Sequence, residues 1–430
     1  MDLEKWIPGL KKREEMLSYL EIDSVEDLFA DLPFKTELSL DSGKDEKLVK
    51  REVLERLKKN VDVVSFLGCC VYQIYVPPLV KNLCSRSEFL TSYTPYQAEN
   101  MQGILQGLFE FQSLVAELTG MDIVNSSVYD GATALGEGAL MAGRINEKNE
   151  ILVPELYWEK RSVLENYLTG SSMKIVEYPL VEGKIDLDIL SQFVTDQTSC
   201  IYYELPNLYG LIDEGAYKLK EFNALVMVGV NPLLLSVIKP PEADIIVGEG
   251  QILGLDPSFG GPLLGIMGCK KDHIRQMPGR LVGMTKDADG KRAFCLTLQT
   301  REQHIRRERA LSNLCTSQTL CALACAIYIE LLGARGLKKL ASELMTKTKY
   351  LMDGIASLGD FKAPAFSGEY FNEFPVESGS GWEGINAYLL ENGVQGGQVL
   401  DNSNISLIAV SEEHTLKDLD RLVKLLEEFK

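Results

Sequence analysis

Three polar segments carry more specific chemistry than a folded core requires. The first is Ser85-Arg86-Ser87-Glu88-Phe89-Leu90-Thr91-Ser92-Tyr93-Thr94-Pro95-Tyr96-Gln97. Two tyrosines flank a Thr-Pro turn, and Pro95 drives Thr94 toward extended backbone. The turn either presents two phenols to a cavity or packs as a surface turn on a neighbour. The second is Tyr129-Asp130-Gly131-Ala132-Thr133-Ala134-Leu135, a polar turn that feeds a small-residue helix. The free N–H groups at a helix start attract an anion such as phosphate. Asp130 competes as a plain N-cap and repels a phosphate unless it points away. The third is residues 299–309, with Arg301, Arg306, Arg307 and Arg309, followed by Ser312-Asn313-Leu314-Cys315-Thr316. Its mixed signs at helical spacing predict a solvated helix face laced with ion pairs. The crowded arginines also suit a carboxylate, a phosphate or an acidic partner surface.

These segments need a frame to position them, and the chain has one. Its 430 residues are too many for a single core and predict two or three domains. With 62 acidic and 44 basic residues the net charge is -18, which argues against nucleic acid or an anionic membrane as the main partner. Residues 1–6 lack the basic stretch and apolar core of a signal peptide. The most apolar stretch, residues 320–332, contains Glu330 and reads as a buried helix. Nine cysteines without C-x-x-C spacing, and three histidines, argue against a zinc site. They fit reduced thiols in the cytoplasm.

The hydrophobic pattern divides the chain in three. Residues 1–62 read as a helical arm, with Ser24 and Asp27 spaced as a capping box and Leu48, Leu54 and Leu57 on one helix face. Residues 63–333 alternate helices and short apolar strands. Helical spacing recurs at Ile104, Leu108, Phe111, Val115 and Leu118, and Gly120 stops that helix. A second helix spans residues 131–144, and another helical stretch spans 185–194. Strands are predicted at 151–153, 174–178, 200–203, 224–230 and 244–247. This alternation predicts an α/β fold with a mostly parallel sheet in a large domain. Residues 334–430 predict a small α+β domain: a long helix, strands at 370–376 and 405–410, and helices at 382–391 and 415–429.

Specific motifs resemble the glycine cleavage P-protein along essentially the whole chain. They are Ser65-Phe66-Leu67-Gly68, Tyr75-Val76-Pro77-Pro78, the 85–97 run, Phe109-Glu110-Phe111-Gln112 and Glu117-Leu118-Thr119-Gly120-Met121-Asp122. Tyr129-Asp130-Gly131-Ala132-Thr133-Ala134, Gly248-Glu249-Gly250-Gln251, Ser258-Phe259-Gly260-Gly261-Pro262, Met277-Pro278-Gly279-Arg280 and the 299–307 run continue the match. The resemblance implies the separate α-type, N-terminal-half subunit and a fold-type I transferase-like architecture dependent on pyridoxal phosphate (PLP). The family reaction decarboxylates glycine on PLP and passes the aminomethyl group to the lipoyl arm of the H-protein.

Such enzymes hold PLP on a lysine. The resemblance places Gln251 where the lysine stands in the catalytic half, and an amide cannot form a Schiff base. It places Asn231 where an Asp faces the pyridine nitrogen. The nearest other lysines, Lys239, Lys270 and Lys271, read as non-binding. The resemblance therefore implies an obligate subunit whose lysine-bearing partner, P-protein subunit 2, binds the cofactor in an αβ or α2β2 assembly. It also implies that Tyr93 and Tyr96 are catalytic residues lent to the partner's site, and that Thr316, Ser312 and Asn313 reach the partner's PLP phosphate. A catalytically dead scaffold that stabilises the partner and docks the H-protein is the competing reading. A free-standing aminotransferase is a third.

Overall fold

Short, wholly apolar runs become the strands of one sheet. The computed structural model describes residues 9–33, 42–90, 93–400 and 404–429. Residues 1–6, where a leader would begin, and Thr91-Ser92 of the tyrosine turn lie outside them. The chain divides into two units, Met1–Val61 and Asp62–Lys430. Within the described part of the first, Asp45 caps helix Glu46–Leu57 by accepting from Lys47 N at 3.0 Å. The capping box at Ser24 and Asp27 starts a 3-10 turn, Val25–Phe29. No described side chain of this unit is buried.

The second unit is built on a seven-stranded sheet. Its strands are β1 (Ile123–Val124), β2 (Glu150–Val153), β3 (Lys174–Glu177), β4 (Thr198–Leu205), β5 (Leu225–Val230), β6 (Ile245–Glu249) and β7 (Gly265–Cys269). They lie in the order β1-β7-β6-β5-β4-β2-β3. The run from β3 to β6 is parallel, and β7 is antiparallel to both of its neighbours. Every residue of β4 is buried, as a parallel strand covered on both faces requires.

Side-chain alternation then assigns the helices to faces. Ile201 and Tyr203 of β4 pack with Val226 and Val228 of β5 beneath α1 (Gln102–Thr119) and the first half of the helix at Thr319–Ala356. Cys200, Tyr202 and Met227 point to the other face. There they meet α2 (Gly131–Asn146) and α3 (Trp158–Leu168). The small residues of α2 are what allow this approach. A Cβ on Gly136 would sit 2.5 Å from the Tyr167 ring, and one on Gly138 2.5 Å from Met227 Sδ. Gly120 ends α1 at φ 70°, the left-handed conformation that glycine adopts without strain.

After β7 a hairpin, β8 (Leu281–Lys286) with β9 (Arg292–Thr297), leaves the main sheet. Helix α4 (Thr319–Ala356) is broken at Gly333, φ 59° and ψ 175°. Taken as one helix of 38 residues, it is long and apolar enough by composition to cross a membrane. In the fold it is a core helix, with Ala322, Leu323, Cys325 and Tyr328 buried. The C-terminal antiparallel sheet orders β10 (Phe361–Lys362), β11 (Glu373–Ser378), β13 (Ile405–Ala409) and β12 (Gln398–Val399). Helices α5 (Trp382–Glu391) and α6 (Leu416–Glu428) pack on it.

Two sequence expectations are corrected. The helical stretch expected at 185–194 is only Leu187–Ser191. Residues 301–309 are not a helix but two 3-10 turns, Gln299–Arg301 and Arg307–Arg309. Glu302, at φ -95° and ψ 151°, and Arg306, at φ -139° and ψ 80°, leave the helical region and break the run. Arg301 turns inward instead of lining a solvated face: its Nε donates to Leu298 O at 3.1 Å and its Nη2 to Gly279 O at 3.1 Å.

Candidate functional site

In open α/β sheets, ligands sit outside the carboxyl ends of the parallel strands. Here that region is a cavity of about 290 Å³. Strand β4 delivers Tyr202 and Glu204, Asn231 directly follows β5, β6 ends at Glu249, α2 begins at Gly131, and Lys160 projects from α3. Lys160 Nζ lies 2.6 Å from Glu204 Oε1, and the side chains are only 21% and 8% exposed. The Tyr202 hydroxyl donates to the same oxygen at 2.8 Å. Burial works against the Lys160 charge, but Cys70 and Glu204 outweigh it and raise its affinity for the proton.

Polar side chains at the cavity, and Gln251 just behind its lining, brace the chain. Gln251 is fully buried. Its Oε1 accepts from Tyr72 N at 2.9 Å, and its Nε2 donates to Tyr72 O at 3.0 Å and Leu255 O at 2.6 Å. Asn231 turns its Oδ1 onto Leu233 N at 3.1 Å. Glu249 accepts three backbone N–H groups: Gly131 at 2.9 Å, Gln251 at 3.0 Å and Leu264 at 2.9 Å. Burial pushes its carboxyl up to about 7 against the pull of those bonds. Asp130 is an N-cap, accepting from Thr133 N at 2.7 Å, the simpler of the two roles its position allowed.

A second polar assembly lies toward the surface. Arg280, 3% exposed, donates through Nη2 to the Tyr96 hydroxyl at 2.9 Å and to Cys315 O at 2.7 Å. Its guanidinium lies 5.5 Å from the Tyr96 ring centroid, within cation–π range. His304 stacks obliquely on Tyr96 at 4.8 Å. The loop at 312–318 has no regular structure yet is pinned at several points. Ser312 Oγ donates to Glu137 at 2.5 Å, Gln303 Nε2 to Asn313 O and Leu314 O, Cys315 N to the Tyr129 hydroxyl, and Gln318 N to Ser127 Oγ. Among the described residues no hydrogen bond reaches the side-chain hydroxyl of Tyr93 or Thr316. Tyr93 is 75% exposed and Tyr96 46%.

The profile of the glycine cleavage system P-protein family matches residues 4–426. The chain belongs to that family. A probable glycine dehydrogenase (decarboxylating) subunit 1 from Sulfurisphaera tokodaii is 43% identical over 448 residues, covering 100% of this chain and 99% of its own. The crystal structure of an inhibitor-bound glycine decarboxylase P-protein of the glycine cleavage system superposes with a TM-score of 0.88 at 37% identity, over 97% of this chain and 98% of that one. A Lactobacillus brevis glutamate decarboxylase shares the fold alone, with a TM-score of 0.68 at 15% identity over 94% of this chain and 96% of that one. The architecture is that of fold-type I PLP enzymes. The match to subunit 1 chains runs the full length, as the sequence motifs imply.

Within the P-protein frame, the structure joins Tyr96 to the 312–316 segment through Arg280, while Tyr93 stands apart in solvent. Ser312 turns inward to Glu137, and Asn313 is exposed. Neither tyrosine lines the cavity. Sequence reading missed Lys160 and Glu204 altogether, and saw Arg280 and Glu249 only as parts of motifs. Lys160 lines the cavity, whereas Lys239, Lys270 and Lys271 do not. Nothing local marks it, because Glu204 is 44 residues away.

Proposed function

We propose that this chain is the half of glycine dehydrogenase (aminomethyl-transferring) that holds no cofactor. A lysine-bearing partner subunit, in an αβ or α2β2 assembly, carries pyridoxal phosphate and completes the active site. The assembly decarboxylates glycine, releases CO2 and transfers the aminomethyl group to the lipoyl arm of the H-protein. The full-length likeness to chains named subunit 1 supports a partnered enzyme. Nine free thiols fit the reducing cytoplasm.

The observation that carries the division of labour is Gln251. The cavity of this chain does not fit pyridoxal phosphate. Its lysine position is an amide bonded on both sides, its pyridine-facing position is an uncharged Asn231, and its helix start is covered by Glu249. Lys160 is held as an ammonium by Glu204, so it is no nucleophile.

Pyridoxal phosphate, bound by the partner, supplies the electron sink for loss of the glycine carboxyl group. This chain contributes polar groups at the rim. Arg280 orients the Tyr96 hydroxyl and, through Cys315 O, holds the loop that bears Thr316. Tyr96 and Tyr93 offer phenols to the substrate carboxylate, and Thr316 offers one O–H to a phosphate oxygen. Ser312 works from behind, fixing that loop on Glu137. Asn313 is exposed beside it. Glycine-dependent CO2 exchange, measured on each purified chain and on the pair, tests the proposal. Activity in the pair alone supports it, and activity in this chain by itself overturns it.

A further inference from the structure

Helix α2 is 16 residues long and begins on the cavity wall. Its first N–H groups and its dipole would attract an anion. The chain has already placed its own anions there. Gly131 N donates to Glu249 Oε2 at 2.9 Å, and Thr133 N donates to Asp130 Oδ1 at 2.7 Å. The approach is direct: a Cβ on Gly131 would lie 3.1 Å from the Glu249 Cβ, leaving no water layer. Nor can Glu249 swing aside at little cost. Its second oxygen accepts Gln251 N at 3.0 Å and Leu264 N at 2.9 Å, so three backbone donors from three segments would lose their acceptor together.

We propose that Glu249 is a specificity determinant that closes this chain's cavity to phosphate-bearing ligands, pyridoxal phosphate included. The inference rests on the reading of this chain as the subunit without the cofactor, and assigns the residue responsible. A phosphate entering the cavity meets Glu249 and Asp130 at the helix start. Among the described residues Lys160 is the one basic side chain in the lining, and Glu204 already neutralises it at 2.6 Å. The position that the resemblance gives to the lysine and the carboxylate two residues before it are both internal braces: Gln251, behind the lining, ties Tyr72 to Leu255, and Glu249 ties the end of β6 to the start of α2 and to Leu264. With the Glu249 carboxyl up at about 7, pH 8 keeps it ionised.

The test is equilibrium dialysis of the full chain at pH 8, with inorganic phosphate and with pyridoxine 5′-phosphate, whose alcohol cannot condense with surface lysines. The wild type should show no saturable binding at millimolar ligand. Glu249→Ala, and more strongly Asp130→Asn/Glu249→Ala, should bind one equivalent at least tenfold more tightly than the wild type. Glu249→Gln keeps an acceptor for the backbone donors. It serves if the alanine variant fails to fold by circular dichroism, and should show a smaller gain. Saturable wild-type binding that these changes leave unaltered overturns the proposal, as does a folded double variant that still refuses both ligands. Glycine-dependent CO2 exchange by the wild-type pair is read separately, so failure of the subunit reading shows in that assay and not in the dialysis.

Discussion

Arg280 donates to the Tyr96 hydroxyl at 2.9 Å across 184 residues of chain, and with the same nitrogen holds Cys315 O at 2.7 Å. One buried guanidinium therefore sets both the phenol and the loop that carries Thr316. Lysine does not reproduce the arrangement, because its ammonium is a compact point charge with no planar group to lie over the Tyr96 ring.

Tyr96→Phe removes a hydrogen bond to a charged donor, a loss of roughly 1.5–3 kcal/mol. The expected result is a fall in kcat of the assembled complex by about one to two decades, with subunit pairing intact. Thr316→Val should fall by a similar factor, through kcat or through cofactor affinity. Steady-state kinetics on complexes isolated by gel filtration check this. Normal turnover with weakened pairing would make these residues interface packing.

Gln251→Lys should not create a cofactor site. It strands the Tyr72 and Leu255 groups now bonded to the amide, and it buries a cation without a partner. A loss on the order of 3 kcal/mol is expected in denaturant melts. Borohydride reduction and peptide mapping of the wild-type chain, mixed with pyridoxal phosphate, should yield no cofactor-labelled lysine at the cavity.

His414 gives the fold a pH dependence. It is buried and stacked on Phe66 at 4.3 Å. Its Nδ1 accepts Ser411 N at 3.0 Å, and its Nε2 lies 3.0 Å from Ser65 O. Burial lowers its proton affinity from 6.5 to about 4. Between those values the unfolded chain binds the proton and the fold does not, so this contribution to stability falls as pH drops from 6.5 to 4. Relative to His414→Gln, the wild type should lose on the order of 3 kcal/mol across that window. Glu249 acts in the opposite sense: raised from 4.5 to about 7, it favours the fold at low pH and withdraws that support as pH rises to 7. Urea titrations of the wild type and His414→Gln at about pH 4.5 and about pH 7 read the difference. Parallel curves would refute the His414 assignment.

Two glycine substitutions separate packing from propensity. On Gly248 a Cβ would lie 2.5 Å from Val230 O, a backbone atom of the paired strand β5. Gly248→Ala should cost about 1–3 kcal/mol. Gly103, exposed in the first turn of α1, meets nothing within 4 Å. Gly103→Ala should be neutral or stabilising by up to about 1 kcal/mol. Thermal melts distinguish the two.

The elements that read clearly in the sequence are those whose signal is local. The α1 stripe from Ile104 to Leu118 with its Gly120 stop, and the runs that became β2 to β6, need only periodicity and breakers. Residues 301–309 misread because charge spacing says nothing about the extended backbone at Glu302 and Arg306 or the carbonyls that draw Arg301 inward. The sites were the least legible part. Lys160 meets Glu204, and Tyr96 meets Arg280, only after the sheet is assembled. Glu249 sits in a recognisable motif, yet its bond to Gly131 spans 118 residues.

Under the proposed function, catalysis needs two chains with different roles. The direct measurement is glycine-dependent exchange of labelled CO2, with lipoylated H-protein and pyridoxal phosphate. It is run on this chain, on the lysine-bearing chain, and on the complex isolated by gel filtration at micromolar concentration. A stable complex, with an obligate interface above ~2,000 Å², and exchange in the complex only are the results expected from that proposal. Exchange by this chain alone, or no complex at those concentrations, would contradict it.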